Sequence, residues 1–184
     1  MGEPARRMTM TVGEFLAWDD GTDTRYELVN GEIVAMAPPS EAHGTIAGNC
    51  WGEIDRRLER RPPCRAIVEA GIRLDDYNHY KADVAASGRE PEGAPYVEEP
   101  FLIVEVLAES TADHDLGGKV RRYIELPSVR EIWLVDSRER WMQVWRRDAD
   151  CWIVTMPLRG AAGFSSEALG DRIELDRLYR NTGL

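Results

Sequence analysis

Phe101-Leu-Ile-Val-Glu-Val-Leu107 decides how this chain is read. Its apolar residues run without alternation, the pattern of a strand covered on both faces. Glu105 sits in the middle of that run. A carboxylate buried alone costs several kcal/mol, so it must be neutral, paired or bound to a cation. Lys81-Ala-Asp-Val-Ala85 repeats the theme, with Asp83 inside a short apolar strand. If the two strands are neighbours, their carboxylates converge and repel, and a hard divalent cation relieves the repulsion. Mg²⁺ takes oxygen ligands, commonly one or two carboxylates with waters and substrate phosphate oxygens. The alternative is an acid paired with an arginine, for which Arg73 is a candidate.

The elements around these strands follow from local signals. Thr11-x-x-Glu14 is a capping box opening a short helix. Asn30-Gly31 separates two strand-like runs, Arg25–Val29 and Glu32–Met36, and predicts a hairpin. Ser40 caps a helix with Ile46, Ala47, Cys50, Trp51, Ile54 and Leu58 on one stripe, and Pro62-Pro63 stops it. Strands are expected over Cys64–Leu74, Lys81–Ser87 and Phe101–Leu107. A helix beginning at Thr111 or Asp113 carries Leu116, Val120, Tyr123 and Ile124, and Pro127 closes it. Asp115 and Lys119 stand four apart and share a face of that helix. Glu131–Val135 is a further strand, and Trp141–Trp145 with Cys151–Met156 complete a C-terminal β-meander. The tail reads as loop plus a short helix near Leu175–Tyr179. With no repeat and no linker, residues 1–184 read as one domain of the α/β (α+β) class, a central mixed sheet flanked by helices.

Composition narrows the function. The chain has 184 residues and 43% hydrophobic content, ample for a core, so a disordered chain is excluded. No run approaches the ~20 apolar residues of a membrane helix, and Met1–Met10 has no apolar region of a secretory signal. Cys50, Cys64 and Cys151 form no Cys-x-x-Cys pair, which predicts reduced thiols in a cytoplasmic protein. His43, His79 and His114 lack metal-ligand spacing, so a histidine-ligated hydrolase is disfavoured. Only two lysines exist, Lys81 and Lys119, so chemistry that needs a lysine has a narrow choice. Net charge is −10. It is uneven: Asp83–Asp115 holds nine acids and one base, Lys119–Arg147 eight bases and four acids, and Arg56-Arg57-x-x-Arg60-Arg61 forms a second basic spot. That pattern fits a cation site beside an anion-binding face, or a solvated surface.

Six pieces in one order carry a resemblance: Tyr26-Glu-Leu-Val-Asn-Gly-Glu-Ile33, Pro38-Pro-Ser40 with His43, Ala82-Asp83-Val84, Ile103-Val-Glu-Val-Leu107 with Ser110-Thr111, Asp115-x-x-x-Lys119, and Glu131-Ile-Trp-Leu-Val-Asp136. Together, from about Thr11 to Tyr179, the chain resembles the Uma-two family of restriction-endonuclease-like proteins, within the PD-(D/E)xK nuclease superfamily. The resemblance implies a restriction-endonuclease-like core. It puts Asp83 at the metal-binding aspartate and Glu105 at the acid of the (D/E)xK element. Leu107 occupies the usual lysine position, and Lys119 matches a lysine that has moved to the following helix. Glu27 matches an acidic position that completes the metal site through a water. Ala82 replaces the usual proline, and Ala108-Glu109 stands where the family often has Ser-Pro.

The implied activity is a Mg²⁺-dependent endonuclease, with Mn²⁺ as the alternative ion, hydrolysing DNA phosphodiester bonds. Asp83, Glu105 and the Val106 carbonyl would hold the metal, and Lys119 would orient water or stabilise charge on phosphorus. His43 and Asp115 are further candidates, although a histidine near a helix start ordinarily packs or caps. Cutting both strands favours a homodimer, for which Trp133, Trp141, Trp145 and Trp152 could supply an interface or, alternatively, core packing. The competing expectation is an inactive nuclease-fold module binding a protein or nucleic acid. Net charge −10 argues against tight non-specific DNA binding, while the complete Asp83–Glu105–Lys119 set favours the enzyme.

Overall fold

The structure, a computed structural model, describes residues 9–108, 115–160 and 162–184, and for residues 115 and 116 the backbone only. The capping box forms as expected: Thr11 and Glu14 satisfy each other's backbone N–H at the start of α1, Val12–Ala17. β1 (Tyr26–Val29) and β2 (Glu32–Ala35) pair antiparallel in the register Tyr26↔Ala35 to Val29↔Glu32. Asn30 and Gly31 both take positive φ, 51° and 77°, the twist that a two-residue hairpin needs. A Cβ on Gly31 would also stand 2.8 Å from the Thr9 Cβ.

α2 (Glu41–Leu58) starts at Ser40, whose Oγ accepts from the His43 N–H at 3.2 Å. It buries Ile46, Cys50, Ile54 and Leu58, four-residue steps down one face. The helix also contains Gly44, Gly48 and Gly52, each costing about 1 kcal/mol relative to alanine in a helix interior. Burial of the α2 stripe against the sheet offsets that cost.

β3 (Arg65–Arg73), β4 (His79–Ser87), β5 (Pro100–Leu107), β6 (Glu131–Asp136), β7 (Trp141–Asp148) and β8 (Cys151–Val154) build the rest of the main sheet. Its order is β2-β1-β4-β5-β6-β7-β8, with β3 on β4 and the short β9 (Leu158–Arg159) on β7. β5 and β6 run parallel, Leu102↔Glu131 to Leu107↔Asp136, and every other pairing is antiparallel, so the sheet is mixed. β5 is covered on both faces, as its sequence predicts. Leu102, Val104 and Val106 pack with the α2 stripe, while Ile103 and Leu107 pack with Val120 and Tyr123. Those last two belong to α3 (Val120–Tyr123), which continues a π-helical turn, Asp115–Lys119. The turn contains the Gly117-Gly118 pair, and a single π turn inside a helix is a frequent mark of a functional site.

One edge of β4 pairs with β3 along its length, Ser87↔Arg65 to His79↔Arg73. The other edge is shared. β5 takes Val84 to Ser87, and β1 meets β4 only at Leu28↔His79. Between these contacts β1 and β5 part, leaving a fork at residues 80–83. Face alternation also changes phase there: Tyr80 and Ala82 pack in one core cluster, Val84 and Ala86 in the other. Glu69, across from Asp83 on β3, takes a left-handed φ of 46° at the same kink.

Sequence reading missed the short β9 and a C-terminal hairpin. The tail, expected as loop, contains a hairpin of β10 (Gly163–Ser166) and β11 (Asp171–Glu174) before α4 (Leu175–Leu178). Its turn is held from a distance. Glu131 is fully buried and its carboxylate accepts from the Trp133 indole at 2.6 Å and from the Glu167 and Ala168 N–H groups at 3.0 and 3.3 Å. Trp133 itself is fully buried edge-on to Phe164, so it serves the core. Trp141, Trp145 and Trp152 pack partly buried against the second cluster.

His79 tests the packing beneath α1. It is 6% exposed, faces the Phe15 ring, and neither ring nitrogen has a hydrogen-bond partner among the described residues. Burial holds its pKa below 6.5. Below pH 6.5 the unfolded chain therefore takes up a proton that the folded chain resists. Stability should fall as pH drops through that range, until the folded histidine also titrates. His79→Phe should flatten that part of a Tm–pH profile; an unchanged profile would exclude His79 as its source. Gly71 abuts the same ring: an added Cβ would lie 2.7 Å from His79 Nε2 and 3.2 Å from the Pro95 carbonyl oxygen. Gly71→Ala should cost ~1–3 kcal/mol by overpacking, read from urea unfolding.

Candidate active site

The fork leaves backbone groups without ladder partners, and buried backbone groups must find partners elsewhere. Side chains of the candidate site supply them. The Lys81 N–H donates to Glu27 Oε1 at 2.7 Å, and the Lys81 carbonyl accepts from Lys119 Nζ at 3.3 Å. The Val106 N–H donates to Asp83 Oδ2 at 2.7 Å. The same side chains thus hold the fork open and line it.

Val84↔Val104 is the last β4–β5 pair, so Asp83 and Glu105 are the first residues beyond it on their strands, at the mouth of the fork. A strand residue points its N–H and C=O to the same edge, so the Val106 carbonyl is aimed toward Asp83, as its N–H is. Glu105 is 2% exposed, and its Oε1 accepts from the Tyr123 hydroxyl at 2.6 Å. Lys119, at the end of the π turn, is buried with its Nζ 2.8 Å from Glu27 Oε1 and 3.6 Å from Glu105 Oε1. His43, from the first turn of α2, places Nε2 2.9 Å from Asp83 Oδ1, and its buried Nδ1 has no partner among the described residues.

Glu27, His43, Asp83, Glu105 and Lys119 all line one cleft of about 290 Å³. Its wall is apolar, formed by the β2 end and the following segment from Val34 to Pro39. At the rim, Arg25 and Lys81 both reach Glu69, at 2.5 and 3.4 Å. The Asp115 side chain lies outside the described residues. Among the described residues Arg73 pairs with neither Asp83 nor Glu105; it bonds Asp76 at 2.7 Å on the surface.

Two participants escaped sequence reading. Tyr123 was read only as an apolar helix position. It lies four residues beyond Lys119 and so on the same helix face, the spacing that could have linked it to the site. Glu69 lies in a strand-like run, and nothing local in the sequence announces its kink.

The donor set suits a hard divalent cation. Glu27, Asp83 and Glu105 line the cleft with Lys119, whose ammonium lies 2.8 Å from Glu27 and 3.6 Å from Glu105. Asp83 and Glu105 line the same cleft, and the Val106 N–H bonds the Asp83 carboxylate. Among the described residues no cluster of three or more His, Cys, Asp or Glu groups is arranged to hold a metal. A Mg²⁺ ion needs only one or two carboxylates, with waters and substrate oxygens completing its shell.

Comparison with known proteins now bears on this geometry. Residues 12–176 match the family Uma2, described as "Putative restriction endonuclease". The chain belongs to the Uma2 family. Two uncharacterized proteins of Synechocystis sp. are relatives. One is 23% identical over 181 residues, covering 91% of this chain and 90% of that protein. The other is 26% identical over 135 residues, covering 70% and 75%. A crystal structure from Anabaena variabilis, titled as a putative nuclease belonging to DUF820, has the same fold. It matches with a TM-score of 0.72 at 19% identity, over 92% of this chain and 97% of that one. This Uma2 chain therefore has the expected mixed-sheet fold, and its family points to nuclease-type function. Among the described residues no helix is long and apolar enough to cross a membrane.

Proposed function

We propose that this Uma2 protein is a metal-dependent endonuclease hydrolysing DNA phosphodiester bonds, with Mg²⁺ or Mn²⁺ as its ion. The observation that carries the reading is the convergence of Asp83, Glu105 and Lys119 in one cleft at the β4–β5 fork. A divalent cation bound there supplies Lewis acidity to a phosphoryl oxygen and lowers the pKa of an attacking water. Asp83, Glu105 and the Val106 carbonyl are the groups that would hold it. The Lys119 ammonium is the donor that would meet charge developing on the phosphoryl oxygens.

Neighbouring residues fix these groups before substrate arrives. Tyr123 holds one oxygen of Glu105, and Glu27 with the Lys81 carbonyl holds Lys119. Asp83 is held by the Val106 N–H and by His43. Such outer partners typically contribute 10–100-fold to metal affinity or activity. Glu27, with Oε1 engaged by Lys119 and the Lys81 N–H, is better placed to position the lysine than to ligate directly. A duplex is cut on both strands most simply by two copies related by a two-fold axis.

A nuclease assay over single- and double-stranded DNA and RNA, with Mg²⁺ and with Mn²⁺, tests the reading. Wild type should cut DNA only with metal, and Glu105→Ala should not. Tight metal-independent binding of nucleic acid without cleavage of any form would favour an inactive binding module instead.

A further inference from the structure

A second groove lies on α2, away from the carboxylates. It measures about 170 Å³ and is lined by Gly48, Asn49, Gly52, Glu53, Arg56, Arg177 and Arg180. Among the described residues, apart from the helix's own nearby backbone, nothing lies within 4 Å of where a Cβ would sit on Gly48 or Gly52. Internal packing therefore does not require glycine at either position, although glycine is among the poorest helix formers. The bare backbone instead leaves an open floor that a ligand can approach closely.

The walls are cationic. Arg177 and Arg180 are exposed, and neither forms an ion pair among the described residues, in a chain of net charge −10. The one carboxylate in the groove, Glu53, is engaged by Arg56 at 2.7 Å and Arg57 at 2.8 Å, and hydrogen bonds from those guanidiniums hold its pKa low despite burial. Arg57 is further tied to Asp171 and to the Arg172 carbonyl, which fixes it in place. The Asn49 amide donates to the carbonyls of Leu178 and Arg180, anchoring the second wall to α2. The positive charge is thus mounted on rigid elements.

We propose that this groove binds the phosphodiester backbone of the nucleic acid whose scissile bond lies at the fork. This rests on the nuclease reading and extends it. α2 joins the two places: His43 in its first turn touches Asp83, and Gly48 to Arg56 line the groove. Those positions are roughly 8–20 Å along the helix from His43, at 1.5 Å per residue. Gly48, Gly52 and Arg56 stand two residues off the buried Ile46–Leu58 stripe, on the face of α2 opposite His43, so the nucleic acid passes around the helix and the axial span is a lower bound, at least about two phosphates of one strand. Phosphate neutralisation by guanidinium explains the unpaired arginines, and close approach of the backbone explains the glycines.

Binding of a labelled DNA duplex, long enough to span cleft and groove, is measured by anisotropy in EDTA across a salt series. Arg177→Ala/Arg180→Ala should weaken binding at least about tenfold and reduce the salt slope by roughly two, at ~0.9 per phosphate contact. Gly48→Gln should raise Tm through better helix propensity and still weaken binding, an outcome that loss of structure cannot produce. With metal present, the arginine variant should raise KM and leave kcat unchanged. Variants that match wild type in affinity and salt slope overturn the groove, as does a wild type that binds no duplex. A wild type that binds through the groove but cuts nothing with Mg²⁺ or Mn²⁺ upholds the groove and overturns the nuclease reading instead.

Discussion

Lys119→Ala is expected to lower DNA cleavage by ~10²–10³-fold or more, the scale on which loss of one preorganised donor acts. It should also destabilise the fold by ~3–5 kcal/mol, because removing one partner leaves buried charge uncompensated. Lys119 Nζ lies 2.8 Å from Glu27 and 3.6 Å from Glu105, with all three side chains nearly buried. Without the ammonium, the two carboxylates repel each other and the Lys81 carbonyl loses a donor. Metal binding should survive and tighten slightly, since lysine is not a ligand and a positive charge has gone. Added metal should therefore restore part of the lost stability without restoring cleavage. Lys81→Ala is the control: its Nζ reaches Glu69 at 3.4 Å on the rim, a pair worth ~0–1 kcal/mol. Cleavage that survives Lys119→Ala but is abolished by Lys81→Ala would move the catalytic lysine to Lys81 and discard the assignment made here.

The second large effect separates a metal site from a closed network of ion pairs, and it needs no substrate. A cation that binds only the folded chain stabilises it by RT ln(1 + [L]/Kd), about 2.7 kcal/mol at a hundredfold excess over Kd. Mg²⁺ or Mn²⁺ should raise the Tm of wild type at constant ionic strength, which removes general screening of the −10 charge. Asp83→Asn should lose most of that rise. The substitution keeps an oxygen for the Val106 N–H, and its amide can donate to His43 Nε2, so the metal-free fold should change little or gain from reduced repulsion. Asp83→Ala should behave differently, orphaning the Val106 N–H at a cost of ~1–3 kcal/mol. A flat metal titration, together with a destabilised Asp83→Asn, would count against a metal site.

Much of this protein was legible in its sequence because the signals are local. Asn30-Gly31 specifies its hairpin through positive φ, which the residues themselves favour. The α2 stripe from Ile46 to Leu58 and the uninterrupted apolar run of β5 state which surfaces must leave water. Glu105 was conspicuous for the same reason: an acid inside such a run needs a partner wherever the strand lies. The hairpin at Gly163–Glu174 was not legible, since its strands are four residues long and largely polar. Its turn is held by Glu131, more than thirty residues away.

The tertiary structure alone decided who partners whom at the site. Sequence brought Asp83 and Glu105 together only on the condition that their strands are neighbours, and gave Lys119 its catalytic place only through the family resemblance. The fork where β1 and β5 part along β4 brings Glu27 to Lys119, His43 to Asp83, and Tyr123 to Glu105. No spacing rule contains that fork, because it arises where β4 exchanges one neighbouring strand for another. Periodicity reports which face of an element is buried. A buried N–H or carboxylate is satisfied by whatever the assembled sheet brings within hydrogen-bond reach, and that is a property of the whole chain packed together.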